Sequence, residues 1–223
     1  VRFIIFGLAV LLSIGTGDAG AAGDDEQLSA RGVELLKQGK TSQAIDEFLR
    51  VIELNPRETA SRMNLAVIYE REGRLDEAIY HYEKVLNVEP RNVTAHNNLG
   101  VLYSRKGSHD ESIGEFEAVL EIDGKNAQAA KNLDVAKKTR DAAKERERQI
   151  ESAKKAAEAN PKNPGAVYNL ARAYAFYGKK EDALAWLDKA ISLGYNDLAY
   201  LKTDSALESL RNDPEYQRLM AGR

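Results

Sequence analysis

Leu65-Ala66-Val67-Ile68-Tyr69, followed by Gly73, Ala78, Tyr82 and Pro90, returns 34 residues later as Leu99-Gly100-Val101-Leu102-Tyr103, followed by Gly107, Ser112 and Phe116. The same offset relates Gly32, Ala66 and Gly100; Leu35, Tyr69 and Tyr103; Gly39, Gly73 and Gly107; Ala44, Ala78 and Ser112; and Phe48, Tyr82 and Phe116. Ile45, Ile79 and Ile113, then Val51, Val85 and Val119, continue the register, and Pro56 and Pro90 keep it too. So many columns in phase mark an internal repeat. Within each unit the apolar residues fall at helical spacing in two stripes, separated by the glycine that ends the first stripe. The unit is therefore a helix-turn-helix hairpin. The small residues of the first helix face the small residues of the second and let the backbones approach. Asn55-Pro56 and Glu89-Pro90 stop the second helix, because proline excludes helical geometry from the residue before it. One such hairpin cannot bury its own apolar face, so consecutive hairpins must stack.

This 34-residue pattern resembles the tetratricopeptide repeat. The resemblance implies an all-α, right-handed superhelix of hairpins with a concave peptide-binding surface. Three units cover residues 25–126, as 25–58, 59–92 and 93–126, with no Leu before Gly32 in the first and Gly124 where proline is usual in the third. A fourth covers 164–197, through Leu170-Ala171, Tyr174, Gly178, Ala183, Leu187 and Ala190. Residues 127–163 are a degenerate repeat or a long charged helix; from Lys137 to Lys155 they hold eight basic and four acidic side chains. A solvated helix with charge pairs one turn apart is the expectation there. Residues 198–223, with Asp204, Leu207, Leu210, Arg211, Asp213-Pro214 and Tyr216, resemble the helical cap that closes bacterial arrays of this kind. A cap is needed because the last hairpin otherwise exposes its stacking face.

The chain has 223 residues, 43% of them hydrophobic and 30% charged, which suits a folded helical protein. A net charge of −3 offers no overall positive field, so nucleic acid is not an expected partner. Without cysteine there is no disulfide, thiolate metal site or cysteine nucleophile. Arg2, the apolar run Phe3 to Ile14 and the small residues Ala19-Gly20-Ala21 have the order of a signal peptide, too short to span a bilayer. The expectation is a signal peptide over 1–21, and a periplasmic or secreted chain with no membrane span after cleavage.

Catalytic motifs are missing from the sequence. His81, His96 and His109 fall at different repeat positions without a ligand spacing, and the glycines come singly at turns rather than in phosphate loops. Neither a metal, a cofactor nor an enzyme is expected. What stands out is an asparagine column, Asn64, Asn98 and Asn169, each directly before the leucine of a first helix. An amide carries both a donor and an acceptor, so a row of them can pair with the main chain of an extended peptide whatever its sequence. Helices roughly 8–10 Å apart and a strand rise of about 3.3 Å would bring one asparagine to about every third peptide residue. The resemblance implies the same use, since some superhelices of this family hold peptide backbones with an asparagine ladder. Met63, Val67, Asn97, Val101 and Ser104 are expected to line the groove, with Arg71 and Arg105 available for a carboxylate. A grip on a terminal carboxylate is not expected, because Ser29, Val33, Thr94 and Asn98 stand where the resemblance would place its cationic contacts. The sequence thus points to a non-catalytic adaptor for a peptide segment of a cell-envelope partner. A self-assembling subunit and an accessory subunit of an envelope enzyme complex are the alternatives.

Overall fold

The computed structural model describes residues 23–221; the expected signal segment lies outside them. Among the described residues there is no strand. Helices α1 (Asp24–Lys37), α2 (Thr41–Leu54), α3 (Thr59–Arg71), α4 (Leu75–Val88), α5 (Val93–Lys106) and α6 (His109–Ile122) form three hairpins. A 33-residue helix, α7 (Ala127–Ala159), follows. Then come α8 (Pro164–Phe176), α9 (Lys180–Ser192), α10 (Leu198–Thr203), a 3-10 helix (Ser205–Leu210) and α11 (Pro214–Ala221). The described residues divide into two compact units, one up to residue 139 and one from residue 140, and the division falls inside α7. No described helix is long and apolar enough to cross a membrane.

The hairpin turns are chemically uniform. Gly39, Gly73, Gly107 and Gly178 have φ of 74°, 76°, 79° and 72°, the left-handed region that a side chain disfavours. In each, the amide just past the glycine returns to a carbonyl in the last turn of the first helix: Lys40 to Leu35, Arg74 to Tyr69, Ser108 to Tyr103 and Lys179 to Tyr174, at 2.8–2.9 Å. That six-to-one bond satisfies a carbonyl that the helix end leaves open. It also reverses the chain with only a few residues.

In the first unit the aromatic column Phe48, Tyr82 and Phe116 is fully buried. The close approach is physical at Gly32 and Gly100: a Cβ there would lie 2.6 Å from a ring carbon of Phe48 and 2.7 Å from one of Phe116. Leu65, Leu99 and Leu102 join Tyr82 and Val85 in one core that runs from α2 to α5, with Leu35 and Leu36 of α1 packed against it. The first part of α7 adds Ala136 to the buried Ile113 and Phe116. Within residues 127–163, Ala127–Ala159 is one continuous helix. No glycine or proline interrupts Ala127–Ala159, and pairs such as Lys138–Asp134, at 2.7 Å, line its exposed face.

In the second unit, Ile150 and Ala157 of α7 bury against Leu170 of α8. The last segments supply Leu201, Leu207, Leu210, Tyr216 and Leu219 to a core with Val167, Ala171, Leu184 and Leu187. Asp204 fixes this tail. Its carboxylate, 4% exposed, accepts the Tyr168 hydroxyl at 2.6 Å, Nε of Arg172 at 2.9 Å and the Ala206 amide at 2.9 Å. The Tyr195 ring stacks on Tyr168 with centroids 4.3 Å apart.

Candidate peptide-binding groove

The candidate site occupies one face of α3 and α5, the first helices of consecutive hairpins. Both start at a side-chain cap: Glu58 accepts from the amides of Ala60 and Ser61, and Asn92 from that of Ala95. Asn126 and Asn163 do the same for α7 and α8. Each cap meets donors that the helix start leaves open and fixes where the first turn begins, hence which side chains face out. Asn92 and Asn126 stand 34 residues apart, so the cap keeps the repeat's register, and that spacing is the sequence signal that marks it.

Asn64 and Asn98 sit at the same position of α3 and α5 and are half-buried. They are not chemically equivalent. Nδ2 of Asn98 donates to the Tyr82 hydroxyl at 2.9 Å. The residues at the place of Tyr82 in the neighbouring hairpins are Phe48 and Phe116, which have no hydroxyl to offer. The amides of Asn64 and Asn97 have no hydrogen-bond partner among the described residues. Met63, expected to line the groove, is 8% exposed and belongs instead to the buried core of the first unit, because it packs with Leu65, Ala66 and Tyr69; Val67 and Val101 are half-buried and turn part of their surface to the core. Burial raises the Tyr82 phenol well above its ordinary range, and the nearby Glu70 carboxylate adds to this, so the group stays a neutral partner for the amide.

Two polar groove residues also depart from expectation. Arg105 was expected to be available for a carboxylate, but it pairs with Glu70 across α3 and α5 at 3.2 Å. Burial raises the Glu70 carboxyl above its usual range, against the opposing pull of Arg105 and Arg71. Ser104 was expected to line the groove; its hydroxyl meets that of Ser112 at 2.6 Å, and Ser112 donates to the Gly100 carbonyl at 2.8 Å. The reason is local: serine replaces the alanine of the other hairpins and carries a hydroxyl into the helix contact. Arg71 is exposed at the end of α3, without an ion pair among the described residues. Asn169 is exposed on α8, in the second unit, where Arg172 three residues on is committed to Asp204. Among the described residues no group of three side chains is gathered to hold a metal.

Comparison with known families agrees with the repeat. A profile described as TPR repeat matches residues 68–107, and two described as tetratricopeptide repeat match residues 93–126 and 136–204. The chain carries tetratricopeptide repeats. Among solved structures, the crystal structure of MamA protein has 18% identity and a TM-score of 0.50, covering 81% of this chain and 96% of that one. A MamA double mutant has 16% identity and a TM-score of 0.51 over 78% and 96%. The first tetratricopeptide domain of Spaghetti (RPAP3), solved with an HSP90 peptide, has 21% identity and a TM-score of 0.49 over 55% and 97%. At these identities the likeness is one of fold. No curated protein matches the sequence. Tetratricopeptide domains typically mediate protein–protein interaction, and the fold is generally a non-catalytic module.

Proposed function

We propose that this chain is an exported adaptor whose first unit holds a peptide segment of a cell-envelope partner along α3 and α5. The observation that carries this reading is the amide of Asn64, half-exposed on the groove face without a hydrogen-bond partner, in line with Asn98 on the next hairpin. A polar group fixed on a rigid helix and left without a protein partner contributes more to a ligand than one already satisfied. Asn64 supplies a donor and an acceptor to the ligand main chain. Asn98 keeps its amide oxygen for a ligand N–H while its nitrogen stays on Tyr82. The half-exposed apolar surface of Val67 and Val101 takes alternate side chains of an extended segment. With Arg105 neutralised by Glu70, Arg71 is the groove-edge cation left for an acidic side chain.

The test is capture from an envelope extract by the native chain and by an Asn64→Ala/Asn98→Ala variant whose helical content is unchanged by circular dichroism. A partner kept by the first and lost by the second supports the groove. Equal capture by both places binding elsewhere and refutes it, and capture of nothing but further copies of the chain points to self-assembly.

A further inference from the structure

The second unit carries a cleft separate from the groove. It has a volume of about 340 Å³ and is lined by Lys202 of α10, Arg211 just past the 3-10 helix, and Tyr216, Gln217, Met220 and Ala221 of α11. Its charge is one-sided. Lys202 has no ion pair among the described residues. Arg211 gives one N–H to the main-chain oxygen of Asp204 at 3.2 Å, and its Nε is buried with no partner. No acid lines the cleft: of those nearby in sequence, Asp204 is engaged with Tyr168 and Arg172, Asp213 with Lys180 and Glu215 with Arg218, while Glu208 is exposed on the 3-10 helix outside the lining. The remaining polar groups are satisfied, since the Tyr216 hydroxyl donates to the Leu201 carbonyl and the Gln217 amide to that of Arg211.

We propose that this cleft binds a carboxylate on a short aliphatic stem, as presented by a glutamate or aspartate side chain of a partner polypeptide. A guanidinium offers a fork of donors that suits a planar carboxylate, and an ammonium beside it adds a second charge. The Met220 thioether and the Tyr216 ring form an apolar wall for the stem, and methionine adapts its shape to what it meets. At about 340 Å³ the cleft lies at the small end of the range of ligand pockets, which leaves room for a glutamate or aspartate side chain. Phosphate fits less well, because the wall that accommodates a stem would face one of its oxygens. The open position of Lys202 keeps the affinity in the millimolar range, which suits an auxiliary contact on a longer partner.

The sequence supplies the reporter: its two methionines are Met63, buried in the core of the first unit, and Met220, on the cleft wall. The full chain, labelled with ¹³C at the methionine methyls, is titrated with glutarate, with uncharged glutaramide and with inorganic phosphate. The expected result is a saturable shift of the Met220 resonance with glutarate alone, no movement of Met63, and affinity lowered about fivefold in Lys202→Gln. Lys202 is exposed and makes no contact that the fold needs, and an unmoved Met63 resonance in the variant verifies that the fold is kept. The proposal is overturned if Met220 does not respond, if phosphate shifts it as readily, if glutaramide does so, or if Lys202→Gln binds glutarate as the native chain does. Movement confined to Met63 also overturns it and locates the carboxylate on the first unit.

Discussion

Asp204→Ala should loosen the second unit while leaving the first intact. The carboxylate is buried and has three partners, two on α8 and one in the 3-10 helix, so the substitution unties the tail from α8 and uncaps the 3-10 helix together. A hydrogen bond from the Tyr168 hydroxyl to a buried carboxylate contributes about 1.5–3 kcal/mol. The Ala206 amide bond is a helix cap worth about 1 kcal/mol. Arg172 is nearly half-exposed, so its pair is screened and adds no more than about 0.5 kcal/mol. The loss is about 3–4 kcal/mol. Trp186, the chain's one tryptophan, belongs to α9 and packs against the core that the tail completes, so its fluorescence reports this unit alone. With a urea dependence of about 1–1.5 kcal/mol per molar for a unit of this size, the tryptophan midpoint should fall by about 2–4 M. The far-ultraviolet signal of the first unit should persist beyond it, because hairpin arrays couple mainly through neighbours. A tryptophan midpoint displaced by less than about 0.5 M would refute the argument, and so would loss of both signals together.

Two glycines of one hairpin should respond with opposite signs: Gly107→Ala, at φ 79°, should cost about 1 kcal/mol, whereas Gly114→Ala, in α6 with open space around its Cα, should gain about 0.5–1 kcal/mol in thermal unfolding. Gly100→Ala should be destabilising by about 1–2 kcal/mol despite alanine's better helix propensity, since its Cβ would press on the Phe116 ring; a neutral result would show that the ring moves aside without cost. Burial, with the Arg62 charge added, pulls the His81 imidazole from 6.5 down to about 4, so between those values the unfolded chain binds a proton that the folded chain excludes. Stability of the first unit should therefore fall as pH drops from 6.5 towards 4, by up to about 3 kcal/mol, and His81→Phe should flatten that slope in denaturant titrations at several pH values.

Much of the fold was legible because a repeat is its own control. One glycine proves little, but four at the same place in the hairpin, each needing positive φ, follow from the 34-residue columns and the return of the register after α7. The chemistry of the groove was less legible. Asn64 and Asn98 are alike in sequence, and their difference comes from Phe48 and Tyr82, each sixteen residues before the asparagine it serves and distinguished by one hydroxyl. Arg105 looked free because its partner Glu70 lies 35 residues away on another helix. Surface cations near helix ends carry no local mark of whether an acid will reach them.

The sequence by itself determined the hairpins, their turns, their caps and which residue types share a face, because helix periodicity, positive φ and capping depend on neighbours a few positions apart. Tertiary structure decided which polar groups are left over. The buried carboxylate of Asp204, the committed amide of Asn98 and the two cations of the tail cleft each depend on side chains that only packing brings within hydrogen-bond distance. That distance is about 3 Å, and a pattern along the chain cannot encode it across separate helices.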